Sequence, residues 1–172
     1  MPDRPGMAET YHQLGTLAEL RGELDEAESW CRRSLEIAEA LNNRPGMADT
    51  YHVLGMVAQD RGKLDEAESW YRKSLEIEEA LNNRLRMAIT YSALGILEEV
   101  RKRPQLALAW DIRCLAQFQD IPHPGTGDGP ARLVALTAQL GMEALEACWV
   151  DVTGKTLPSA VRAFAVASKE ND

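Results

Sequence analysis

The stretch LDEAESWCRRSLEIAEALNNRPGMADTYH, from Leu24 to His52, recurs forty residues later as LDEAESWYRKSLEIEEALNNRLRMAITYS, from Leu64 to Ser92. The first two copies of this forty-residue unit share about three-quarters of their residues. A fixed period of this length is typical of repeat proteins, in which one unit cannot bury its apolar face alone and stacks on the next. The repetition therefore predicts a stacked array of one structural unit.

Each copy has the pattern of two helices joined by a turn. In the first copy, Pro5 stands where a helix favours its first residue, and Gly22 stands where a helix commonly ends. Asp25 and Glu26 then favour the positive end of a second helix. The landmarks of the unit recur at the same place in all three copies: Tyr11, Tyr51 and Tyr91; Gly15, Gly55 and Gly95; Ala27, Ala67 and Ala107; Trp30, Trp70 and Trp110.

Glycine and alanine at these landmarks predict that the two helices of a pair approach closely, since neither residue keeps the helices apart. Beyond a turn-rich break, a weaker copy of the same pattern is followed by one more apolar helix. Terminal repeats are expected to be atypical because they close the core against water. We predict an all-α solenoid of antiparallel helix pairs with repeats at 4–43, 44–83 and 84–123, a degenerate fourth pair at 130–154 and a C-terminal capping helix at 156–170.

The landmarks resemble the tetratricopeptide repeat. Each of the first two copies reads Y-x-x-L-G-x-x-A and then G-[EK]-L-D-E-A, followed by Cys31 or Tyr71. The forty-residue period is longer than the usual 34 and is similar to the repeats of kinesin light chains and of large bacterial signalling proteins. The resemblance implies a right-handed superhelix. The third copy departs from the pattern at Asp111, where an apolar residue would be expected, which predicts looser packing there.

Composition and charge exclude several classes of function. The net charge is −8 and the isoelectric point about 5.0, so the surface repels phosphate backbones and anionic lipid headgroups. No apolar run is long enough to cross a bilayer, and no signal peptide is visible at the N-terminus. Three widely spaced cysteines form neither a disulfide framework nor a zinc motif. We expect a cytoplasmic protein that binds neither nucleic acid nor membranes.

Catalytic motifs are absent from the sequence, which has no P-loop, no GxSxG and no HExxH. His12 and His52 are copies of one repeat position and lack a third ligand of metal type, so we interpret them as polar groove residues. The three repeated tryptophans are interpreted as a packing ladder along the second helices. We therefore predict that the chain is not an enzyme and needs no cofactor or metal.

The resemblance also implies a binding surface, because the first helix of each tetratricopeptide pair lines a concave groove that holds peptides. By position, the first unit contributes Glu9, His12, Gln13, Thr16 and Glu19; the second contributes Asp49, His52, Val53, Met56 and Gln59; the third contributes Ile89, Ser92, Ala93, Ile96 and Glu99. The basic clamp with which chaperone adaptors hold a terminal carboxylate is missing from these positions.

The acidic and apolar character of this groove predicts a partner segment that is basic and amphipathic. Protonation of His12 and His52 below about pH 6.5 would weaken such a ligand. We expect a protein-interaction scaffold, the binding or sensing part of a larger bacterial signalling assembly. The alternative is a structural module that self-associates into a homo-oligomer through exposed repeat ends.

Overall fold

The structure, a computed structural model, describes residues 3–118 and 124–167. All regular elements in these residues are helical, as predicted. The α-helices are α1 (Arg4–Leu20), α2 (Leu24–Ala40), α3 (Arg44–Asp60), α4 (Leu64–Ala80), α5 (Arg84–Val100), α6 (Pro104–Leu115), α7 (Gly129–Leu140), α8 (Met142–Thr153) and α9 (Ser159–Ala167), with a short 3-10 helix at Pro124–Thr126. Residues 119–123 of the predicted third repeat and 168–170 of the predicted capping helix lie outside the described residues.

The chain divides into two compact units, residues 1–83 and 84–172. In the first unit α1 packs on α2, α2 on α3 and α3 on α4. In the second unit α5 packs on α6, and α6 packs on both α7 and α8. Within each unit, the consecutive helices α1 to α4 and α5 to α8 are therefore also neighbours in space.

The turns within and between pairs use residues that tolerate a left-handed backbone. Gly22 and Gly62 end the first helices of their pairs with φ of 73° and 72°. Asn42 and Asn82, at φ of 51°, end the second helices. Asparagine adopts this conformation more easily than most residues because its short polar side chain can hydrogen-bond locally.

The landmark glycines lie under a side chain from the second helix of the same pair. A Cβ atom built on Gly55 would lie 2.5 Å from the Tyr71 ring, and one on Gly15 would lie 2.6 Å from the Cys31 Sγ. These distances are too short for any real Cβ contact, so glycine is required for the two helices to approach. The expected close contact at the glycine landmark is present in both pairs.

In the first two pairs, a serine on the second helix joins it to the first helix by a hydrogen bond. Ser34 donates to the carbonyl of Ala8, and Ser74 donates to the carbonyl of Ala48, both at 2.7 Å. Each serine is buried, so the hydroxyl would lose hydration without a partner. This bond fixes the axial position of one helix on the other.

The tryptophans pack within their own pairs rather than on one another along a ladder. Trp30, Trp70 and Trp110 each stack on the landmark tyrosine of the same pair, with ring centroids 5.4, 5.6 and 5.9 Å apart. A cation from the same second helix lies over each indole, at 4.8, 4.2 and 4.7 Å from the ring centroid. The repeated aromatics therefore serve packing within the pair.

After the third pair, the helices of the second unit pack differently from those of the first three pairs. A single residue, Gly141, joins α7 to α8, and α8 lies against α6 as well as α7. Glu146 occupies the position where the first three pairs have a landmark alanine, and it pairs with Arg162 of α9 at 2.5 Å. Leu145, Trp149 and Val161 are buried in one core with α6. The acid at this position therefore links α8 to the last helix.

Replacing Gly55 with leucine should lower the free energy of unfolding by more than about 2 kcal/mol, because the added side chain overlaps the Tyr71 ring. The measurement is chemical denaturation of both proteins. Ala40→Leu, at an exposed position on α2, is the control and should change stability little. Equal stability of the Gly55→Leu and wild-type proteins would contradict the assigned helix contact.

Candidate peptide-binding surface

The predicted groove residues of the first unit lie on α1 and α3 and differ widely in exposure. Glu9 and Gln13 are exposed, whereas Glu19 and Val53 are buried. The remaining members are half-buried: His12, Thr16, Asp49, His52, Met56 and Gln59. Only part of this lining is therefore accessible to a ligand.

Three of these side chains meet around a small cavity between the first two pairs. Glu9, His12 and Asp49 line a space of about 30 Å³ together with Ser34 and other residues. A volume of this size holds about one water molecule. The first unit thus presents a shallow acidic surface rather than a deep pocket.

His52 packs against the ring of Tyr71, with centroids 5.3 Å apart. Burial, together with the neighbouring charge of His12, lowers the pKa of His52 to about 4. The expectation that His52 gains charge below about pH 6.5 is therefore wrong, because a buried imidazole disfavours its charged form.

Glu19 is buried, so its carboxyl group contributes little to the accessible face of α1. Burial raises the pKa of its carboxyl group, and the nearby Asp60 carboxylate, which shares a hydrogen bond with it, raises the pKa further. Both groups lie in the first unit, Glu19 on α1 and Asp60 at the end of α3. The acidic character of this surface rests mainly on Glu9, Asp49 and Asp60.

The predicted groove residues of the second unit lie on α5 beside a cavity of about 250 Å³. Ile89, Ser92 and Ile96 form one wall, and the loop 125–128 with Arg132 of α7 forms the other. Both isoleucines are 37% exposed, whereas Ala93 is half-buried and Glu99 is exposed. The loop lies on α5, so this part of the surface is a pocket and not an open groove.

The loop is held to α6 by a cysteine that occupies the serine position of the earlier pairs. Cys114 corresponds to Ser34 and Ser74, and its Sγ donates to the carbonyl of Thr126 at 3.9 Å. Burial raises the pKa of Cys114 to about 12, so the thiol stays protonated. This cysteine therefore serves structure rather than chemistry.

Sequence reasoning missed Arg132, which pairs with Asp111. The Arg132 Nε donates to Asp111 Oδ2 at 3.3 Å, and its Nη2 donates to the other carboxylate oxygen and to Ser92 Oγ, the latter at 3.0 Å. Asp111 is completely buried, so the expectation of loose packing at this position is wrong. Burial raises the pKa of Asp111 to about 6, although Arg132 acts in the opposite direction.

Arg132 could have been found from the repeat register. In the register that places Glu146 at the landmark alanine, Arg132 corresponds to Gln13, Val53 and Ala93, which are predicted groove positions. Asp111 occupies the position of Cys31 and Tyr71 and lies over Gly95, as they lie over their own glycines. The ion pair therefore joins two repeat positions that sequence reasoning treated separately.

A second, larger cavity of about 460 Å³ continues along the same two helices. Its lining includes Glu99, Lys102, Arg103, Leu136 and Gln139. Glu99 lies 4.0 Å from Arg132, so this ion pair stands between the two cavities. The second unit therefore offers two neighbouring recesses on one face.

Residues 6–80 match the family model of the tetratricopeptide repeat. They are tetratricopeptide repeats. The chain is also similar to the crystal structure of BtubC (BKLC) from P. vanneervenii, with a TM-score of 0.72 and 21% identity over 100% of this chain and 68% of that one. The apo form of RapI gives a TM-score of 0.74 and 18% identity over 96% of this chain and 47% of that one.

The chain thus spans about half the length of RapI and about two-thirds of BtubC. At these identities the two structures establish a shared helical-repeat fold and no more. A search of curated proteins found no sequence match.

Among residues 3–118 and 124–167, no group of three or more histidine, cysteine, aspartate and glutamate side chains could hold a metal ion. Burial also raises the pKa of Cys31 to about 12, which leaves its thiol protonated. In the same described residues, no helix combines the length and apolar character needed to cross a bilayer. The absence of catalytic activity stays a prediction.

Removing only Arg132 should be more harmful than removing the whole ion pair. Arg132→Met leaves the buried Asp111 carboxylate without its cation and should cost about 3 kcal/mol or more. The double variant Arg132→Met with Asp111→Leu should recover most of this loss. Denaturation of the two single variants and the double variant tests this, and additive effects would contradict it.

The lowered pKa of His52 predicts a specific loss of stability in acid. The unfolded chain takes up a proton near pH 6.5, whereas the folded chain does so only near pH 4, so stability falls between these values. Between pH 7.5 and pH 5 the wild type should lose about 2 kcal/mol more than His52→Gln. Urea denaturation at both pH values measures this difference; identical losses would contradict a neutral, buried His52.

Proposed function

We propose that this protein is a scaffold that binds a segment of a partner protein along the first helices of its pairs. The observation that carries the proposal is that α1, α3 and α5 each present exposed or half-buried polar and apolar side chains. Met56 is half-buried and Ile96 is 37% exposed, so both offer apolar anchors, while Glu9 and Asp49 offer charge. Tetratricopeptide repeats are protein-interaction scaffolds, which supports the same role.

Our proposal extends to the setting in which the scaffold acts. We infer a cytoplasmic location and a role as the interaction or sensing part of a larger bacterial assembly. The division into three repeats, a degenerate fourth pair and a capping helix is part of this proposal. Self-association through repeat ends stays an untested prediction; Leu17 and Leu20 of α1 are 44% and 73% exposed, which leaves apolar surface there.

The acidic surface of the first unit favours a basic, amphipathic segment as its ligand. Rim charges act mainly on the association rate and on its salt dependence, whereas apolar anchors act mainly on dissociation. Glu9 and Asp49 supply the rim charge, and Met56 supplies the anchor. Each contribution therefore has its own kinetic signature.

Charge reversal of the rim should slow association with a partner recovered from native cell extract. Glu9→Lys with Asp49→Lys should reduce the association rate about tenfold at low salt, with a smaller effect at high salt. Met56→Ala should leave association unchanged and speed dissociation about tenfold. Surface plasmon resonance measures both rates.

The matched control is Glu36→Lys with Glu76→Lys, which makes the same charge change at exposed positions of the second helices. This control should bind as the wild type does. A partner whose affinity is insensitive to the Glu9 and Asp49 reversals would contradict the proposed surface.

A further inference from the structure

We propose that the second unit carries its own recognition site, formed by α5, α7, the start of α6 and the loop 125–128, for an extended peptide with one aliphatic and one acidic side chain three or four residues apart. This site deepens the proposed function, since it rests on the chain being a scaffold for partner segments. Its ligand differs in charge from the basic segment that suits the first unit.

The smaller cavity fits the aliphatic side chain. Its walls include Ile89 and Ile96, and its volume of about 250 Å³ exceeds the roughly 150 Å³ that accommodates a benzene molecule in a protein core. It is too small for a helix, whose diameter with side chains is about 10 Å, so an extended segment is the better occupant. Burying one leucine here would gain roughly 2 kcal/mol.

Polar groups at the edge of the smaller cavity suit a peptide backbone. The guanidinium of Arg132 donates through Nε and Nη2 to Asp111 and Ser92. Among the described residues, none accepts a hydrogen bond from its Nη1. This nitrogen can therefore donate to a peptide carbonyl. Asp128, which also lines the cavity, can accept from a peptide N–H but would repel a terminal carboxylate.

The larger cavity fits the acidic side chain. Lys102 and Arg103 lie at its edge, and both are exposed, while Pro104 and Leu136 supply apolar walls. Arg103 lies 3.7 Å from Glu98, and Glu99 faces Arg132 at 4.0 Å, so both of these acids already have cationic neighbours. Among the described residues Lys102 has no such acidic neighbour, and its charge is available to a ligand.

The backbone of Lys102 gives an independent reason to assign it a function. Lys102 has a φ of 59°, and the equivalent residues of the first two pairs are Gly22 and Gly62 at nearly the same φ. A lysine in this conformation costs about 1 kcal/mol relative to glycine. The third pair therefore keeps a positive charge at this position at the expense of stability.

The spacing of the cavities sets the spacing of the two ligand side chains. Along α5 and the turn that follows it, the lining shifts from Ser92 to Lys102, and on α7 it shifts from Arg132 to Gln139. At 1.5 Å per helical residue these shifts amount to roughly 10 to 15 Å. An extended chain covers this distance in three or four residues.

The test is an array of decapeptides with capped ends, in which one leucine is fixed on a serine background and glutamate or lysine is placed in turn at every other position. The full chain should bind most tightly when glutamate lies three or four residues from leucine. Its affinity for these peptides should be at least tenfold higher than for a decapeptide of serine alone. Lysine at the same positions should give no gain, and the glutamate preference should weaken with added salt.

Two variants separate the contributions. Lys102→Gly should remove the glutamate preference, keep the leucine preference and leave the melting temperature equal or higher, because glycine is relaxed at this φ. Ile96→Ser should remove the leucine preference. Lys63→Ser changes an exposed lysine at the corresponding turn of the second pair; this control should bind as the wild type does.

An array without leucine- and glutamate-dependent binding, a preference for lysine, or a glutamate preference that survives Lys102→Gly would each overturn the site. These outcomes leave the proposed function intact, because that function is judged by partner binding to variants of Glu9 and Asp49 in the first unit.

Discussion

In the first three pairs, the landmark glycine of the first helix lies directly under one side chain of the second helix, and this contact constrains how the two helices pack. Gly15 and Gly55 have no side chain, so Cys31 and Tyr71 can lie directly on the backbone of the facing helix. In both pairs a buried serine of the second helix also reaches a carbonyl of the first helix across this interface. Helix stacking and the exposed faces of the first helices follow from this one close approach.

The third pair keeps the glycine but changes the residue that covers it, and the second unit differs from the first as a result. A buried carboxylate at Asp111 needs a cation, because an isolated charge in the interior is costly. Arg132 supplies that cation from α7 and also bonds to Ser92 of α5. One substitution in the repeat pattern is thus associated with the two cavities that flank the ion pair.

The fold was predictable from the sequence because it depends on features that recur at a fixed period, such as the landmark glycines and tryptophans. The candidate site was less predictable because it depends on departures from that period. Asp111 departs from the repeat pattern, and its partner Arg132 lies 21 residues farther along the chain, on α7. Likewise, the pKa of His52 depends on its burial and on its packing against Tyr71. Neither can be deduced from the order of residues in the sequence.

The opposite charges of the two candidate surfaces explain why the acidic net charge of the whole chain is a poor guide to its ligands. Glu9 and Asp49 dominate the accessible face of α1 and α3, whereas Lys102 and Arg103 dominate the larger cavity beside α5 and α7. At physiological ionic strength, charges farther apart than about 8 Å are largely screened from each other. In the function proposed above, each surface selects its partner segment by its local charges, which differ between near-identical repeats through a few substitutions at lining positions.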